Sequence, residues 1–123
     1  MEIKMLSNGS DVKVALRELQ SQKKFIEDLG LFYPGAPDEL SRVAAEKTIN
    51  SVLLKLIESS SDNLTEKEFW LTLEVAAKQL GNMDSEEMDR GLSYMEEIMD
   101  IYKIESSDGR LNEWRYGFEP SSH

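Results

Sequence analysis

The chain has 123 residues with 24 acidic against 14 basic side chains, giving a net charge of −10 at pH 7 and a pI near 4.6. Apolar residues make up 40% and charged ones 31%, a balance that supports a buried core and excludes wholesale disorder. A polyanion of this kind has no electrostatic footprint for phosphate backbones or anionic membranes, so neither nucleic acid nor membrane is an expected partner.

At this length a single helical domain over residues 1–123 is the default. Ser10 can cap a first helix over about 10–30, with Asp11 in its opening turn favoured by the helix dipole. Val12, Ala15, Leu16, Leu19, Ile26 and Leu29 trace one face, broken near Gln22 and Lys23, and Gly30 is the expected stop. Pro34-Gly35 then suits the central positions of a type II turn, because Gly accepts a positive φ at the second.

A second helix is predicted over about 38–58, with Asp38 and Glu39 at its positive end. Leu40, Val43, Ala44, Ile49, Val52, Leu53, Leu56 and Ile57 form its apolar set, and Ser59 to Asn63 is a polar break. The third, over 65–81, has the clearest start. Thr65 and Glu68 frame a capping box, Leu64 and Phe69 a hydrophobic staple. Phe69, Leu73, Ala76, Ala77 and Leu80 make its stripe.

The fourth, over 84–104, repeats the pattern, with Asp84 and Glu87 as the box and Met83 and Met88 as the staple. Its core stripe is Met88, Leu92, Met95, Met99 and Tyr102. Gly91 costs about 1 kcal/mol against Ala in a helix and marks a close helix–helix approach. After a turn at 106–109, Trp114, Tyr116 and Phe118 alternate with polar residues, which predicts an extended tail or strand over 110–119. The expected fold is all-α: a compact four-helix domain with a short aromatic C-terminal extension or strand.

Most catalytic inventories fail. The lone histidine is His123, and without cysteine there are no disulfides, thiolate nucleophiles or thiolate metal sites. No phosphate-binding glycine loop, Glu-x-x-His pair or EF-hand order occurs. Glu96 and Asp100 could share a cation or work as an acid/base pair, but a solvated acidic face is far commoner. The expectation is no enzyme, no cofactor and no metal. The N-terminus has no basic stretch followed by an apolar one, and no run approaches ~18 apolar residues, so a chain starting at Met1 is expected in the cytoplasm.

Charge is unevenly placed. Through residue 57 eight bases balance eight acids, so the whole excess lies in the second half. Between residues 84 and 100 of the fourth helix Asp84, Glu86, Glu87, Asp89, Glu96, Glu97 and Asp100 face only Arg90. The first three gain from the helix N-terminus, whereas Glu96, Glu97 and Asp100 sit towards the negative end. That local cost serves either solubility or a basic partner. Trp70 either seals a helix–helix edge or stands exposed as an anchor.

Phe32-Tyr33-Pro34-Gly35 and Glu105-Ser106-Ser107-Asp108-Gly109-Arg110-Leu111-Asn112-Glu113-Trp114 resemble a family of small uncharacterised bacterial helical domains. Size, acidity and helical build are similar to those of bacterial toxin-immunity proteins, which implies toxin neutralisation by protein binding.

The functional expectation is therefore an acidic protein-binding module of the immunity or antitoxin type, seated on a basic surface or active-site cleft of a bacterial partner. Its contact residues would be Glu86, Glu87, Asp89, Glu96, Glu97 and Asp100, with Tyr94 or Trp70 as aromatic anchor. The alternatives are a self-associating structural domain, such as a homodimer, and a helical sensor of a small ligand or metal.

Overall fold

The computed structural model describes residues 5–59 and 64–117. Among them are five α-helices: α1 (Ser10–Ser21), α2 (Glu39–Glu58), α3 (Glu66–Leu80), α4 (Ser85–Ile101) and α5 (Arg110–Gly117). A single 3-10 turn, Leu29–Leu31, lies between α1 and α2. The all-α expectation holds, with five helices in place of four.

Where a polar side chain meets an orphan N–H, the helix starts fall as expected. Asp38 accepts from Ser41 N at 2.7 Å, and Thr65 Oγ1 accepts from Glu68 N at 3.0 Å. The staple residues Leu64 and Phe69 are both buried. The first helix begins at Ser10 too, but its N-cap is Gly9. On α4, Asp84 makes no side-chain cap bond, so the capping box expected there does not form.

The first helix ends nine residues early. Lys24 is fully buried, and its ammonium donates to Leu19 O at 2.6 Å, Gln22 O at 2.9 Å and Gln20 O at 3.3 Å. Those carbonyls cluster at the helix end, where a cation is favoured; Leu19 O also accepts from Gln22 N at 3.2 Å. Phe25 then takes a left-handed φ of 61° and turns the chain away, leaving Ile26 and Leu29 exposed and outside α1.

The second correction is the tail. Residues 110–117 are helical, not extended, and of the alternating aromatics Trp114 is buried and Tyr116 exposed. Phe118 lies outside the described residues.

Packing follows the chain around the bundle: α1 on α2, α2 on α3, α3 on α4 and α4 back on α1. The middle of the set is α2, which also touches α4, and Ala45, Ile49, Val52, Leu53 and Leu56 bury its inner side. Leu40, expected in that set, is exposed in the first turn. Helix α5 lies across α3 and α4. Gly91 of α4 is buried against Leu80 of α3, and a Cβ there would collide with the leucine Cδ1, which is the close approach its position implied.

Candidate functional site

The break between α1 and α2 builds the most exposed apolar feature among the described residues. Asp28 and Tyr33 pair as an isolated antiparallel bridge, with backbone bonds of 2.8 and 3.0 Å. The Asp28 side chain also accepts from Gly30 N at 3.0 Å, closing the 3-10 turn. The turn is thus held at both ends, and Phe32 leaves it with a left-handed φ of 54°. That conformation is uncommon for a bulky side chain. It throws the Phe32 ring into solvent, 93% exposed, beside Leu29 at 79% and the half-exposed Leu31.

Beneath this loop lies an aromatic floor. The Phe25 ring is 5.2 Å from Tyr94 and 6.5 Å, edge-on, from Tyr33. Tyr94 is only 3% exposed, and its hydroxyl accepts from Phe25 N at 3.0 Å. Burial raises the Tyr94 hydroxyl above its ordinary pKa. The Tyr33 hydroxyl donates to Glu87 Oε2 at 2.7 Å, and burial together with that bond raises it further.

Between the loop and the first half of α4 is a cleft of about 300 Å³, lined by Leu31, Phe32, Tyr33, Glu86, Asp89, Arg90 and Ser93. Arg90, the cation in this lining, is already engaged. Its guanidinium lies 3.9 Å above the Tyr94 ring, donates to Ser93 Oγ at 2.6 Å and stands 3.9 Å from Asp28. Its buried Nε has no partner among the described residues.

From this cleft an acidic stripe runs down α4. Glu86, Asp89, Glu96 and Asp100 recur at helical spacing and are all exposed, and Glu97 beside them is exposed as well. Asp89 is held by Arg115 of α5. Near the far end, a second cleft of about 290 Å³ between α1 and α4 includes Glu18, Glu97 and Asp100. Partial desolvation lifts the Glu97 carboxyl above its ordinary range, aided by Asp100 and Asp28 and opposed by Arg90 and Lys24.

Five of the eight expected contact residues therefore share one solvent face: Glu86, Asp89, Glu96, Glu97 and Asp100. The other three do not. Glu87 is 3% exposed and turned inward to Tyr33. Tyr94 is part of the floor. Trp70, 7% exposed, packs edge-on against Trp114 at 6.3 Å, with Arg110 4.5 Å above its ring. The exposed aromatic beside this face is instead Phe32, in the stretch Phe32-Tyr33-Pro34-Gly35.

Among the described residues no group of three or more His, Cys, Asp or Glu is placed to hold a metal ion, and no helix is long and apolar enough to cross a membrane. No curated protein matches the chain. Among solved structures it is similar to a DUF3571 family protein from Acinetobacter baumannii AYE, with 27% identity and a TM-score of 0.77 over 90% of this chain and 92% of that one. The family described as Domain of unknown function (DUF4844) matches residues 7–119, and the chain belongs to it.

Proposed function

We propose that this domain is a binding module for a basic protein surface, with the outer side of α4 as its recognition face. The observation that carries this reading is the exposed acidic face of Glu86, Asp89, Glu96 and Asp100, with Ser93 at its middle and the Leu29–Phe32 loop at its upper end. A one-signed stripe steers a cationic partner and raises the on-rate, while an exposed aromatic beside it supplies a centre from which water is excluded. The bundle beneath is fixed, so little ordering entropy is lost on docking.

The immunity or antitoxin form of this reading rests on size, acidity and helical build. In it the basic surface is the active-site cleft of a toxin. Capture from a lysate of the source organism tests the reading. A basic protein should be retained at low salt, released at high salt, and lost when Glu96, Glu97 and Asp100 are all changed to Lys. Undiminished retention by that triple variant would overturn it.

Self-association is a second reading, and one surface favours it. The groove between α2 and α3, about 120 Å³, is lined by Thr48, Ser51, Val52, Lys55, Thr72, Val75, Ala76 and Gln79 and contains no carboxylate. Leu71 and Val75 stand exposed on that side of α3. A homodimer in light scattering that Val75→Glu abolishes would favour this reading over the first.

A further inference from the structure

We propose that the cleft between Phe32 and α4 is the seat of a single arginine side chain presented by the basic partner. This rests on the reading of α4 as a recognition face and specifies what the upper end of that face holds.

Three features of the cleft match a guanidinium. The Phe32 ring is almost wholly in solvent on a backbone held by the bridge and turn behind it, so an aromatic face stands open at the cleft. Arginine stacks on such a face by cation–π attraction and planar contact, which lysine matches less well. In the same lining Glu86 supplies an exposed carboxylate for a forked donor, beside Asp89, which Arg115 already holds.

The resident cation does not oppose this. Arg90 is spent on Tyr94, Ser93 and Asp28, and its positive charge is met by the Asp28 carboxylate. With Arg115 holding Asp89, the ion pairs around the cleft still leave Glu86 without a cationic partner in them. Glu86 is thus the group that a second guanidinium would meet. A cleft of about 300 Å³, open on one side, takes one such side chain and leaves the rest of a peptide on the acidic stripe.

The test uses fluorescein-labelled hexa-arginine and hexa-lysine peptides, read by anisotropy at low salt, with amide chemical shifts to locate them. Hexa-arginine should bind at least about fivefold more tightly than hexa-lysine and shift the amides of residues 31–33 and 86–93 most. Phe32→Ala, at a side chain buried against nothing, should weaken hexa-arginine about tenfold and remove the preference over lysine. Glu86→Gln should weaken both peptides. Binding that shifts only residues 96–101 and ignores Phe32→Ala would overturn the arginine seat while leaving the acidic face as recognition surface. No binding of either peptide at low salt would overturn both.

Discussion

The Tyr33 hydroxyl and the Glu87 carboxylate meet at 2.7 Å across 54 positions of sequence, and both side chains are buried. This bond fastens the only long irregular connection among the described residues to the first turns of α4. It joins the apolar loop and the acidic face into one continuous surface.

Tyr33→Phe should therefore do more than remove one bond. It strands a buried carboxyl oxygen, which costs about 1–3 kcal/mol. Glu87→Gln keeps an acceptor of the same shape and should cost less than about 1 kcal/mol. Urea midpoints of the two variants, compared at equal slopes, measure this. A Tyr33→Phe midpoint equal to that of the parent would show that the bond carries no weight in holding the loop.

Alkaline pH should unfold the domain through its tyrosines. Burial raises the hydroxyls of Tyr33, Tyr94 and Tyr102 above their ordinary value of 10.0, so the folded state favours the neutral phenols. The unfolded chain releases those protons from about pH 10 upward. Stability is then full below that pH and drains away as the pH climbs towards the folded values. With the exposed Tyr116 changed to Phe, phenolate absorbance and far-UV circular dichroism should change together in one titration. Ionisation of all three with the helical signal intact would contradict this.

Asp100→Lys should stabilise the domain while weakening its capture of a basic partner. Glu96 and Asp100 are a like-charge pair one turn apart, and the last turn of α4 holds no base. The substitution creates an attractive pair in its better orientation and puts a cation at the negative end of the helix. Together these are worth about 0.5–1.5 kcal/mol. The rise in Tm should fade at high salt, since both groups are exposed. A fall in Tm at low salt would mean that Asp100 has a structural duty.

Trp114→Ala should release α5 without melting the bundle. An eight-residue helix is marginal alone. Here it is held by Trp114 on Trp70, Arg110 over the same indole and Arg115 on Asp89. Loss of the buried indole costs roughly 3 kcal/mol. Hydrogen exchange should show residues 110–117 unprotected while α2 and α3 keep their protection. Retained protection over 110–117 would place the hold elsewhere.

What the sequence disclosed was local. Asp38 and Thr65 announce helix starts because a cap acts within three residues, and Gly91 marks a contact that only a missing side chain permits. The end of α1 was visible as a break at Gln22 and Lys23, yet Gly30 was the better-known stop signal. The actual device is Lys24 folding back on carbonyls and Phe25 in a left-handed turn, and neither residue type advertises that role. In the tail, alternation of aromatics imitated a strand, although Trp114 and not Tyr116 meets the core.

The candidate site was half legible for the same reason. Helical spacing alone places Glu86, Asp89, Glu96 and Asp100 on one side of α4. Glu87 looked like a cap because its spacing from Asp84 fits a box, whereas its true partner is Tyr33, chosen by tertiary packing. Phe32 gives no periodic signal at all. Its exposure follows from the bridge and turn around it, which are set by Asp28.

Asn8 stands where three distant parts of the chain end. Its side-chain amide donates to Leu56 O at 3.2 Å and Ser59 O at 3.3 Å, and its carbonyl oxygen accepts from the Tyr102 hydroxyl at 2.7 Å. The last of these spans 94 positions, and closing a loop of that length carries an entropic cost that neighbouring helices do not bear. During synthesis the bonds from Asn8 to Leu56 and Ser59 can close once α2 has emerged, whereas the bond from Tyr102 must wait for all of α4. The beginning of the chain is therefore seated on α2 first and locked to the end of α4 afterwards.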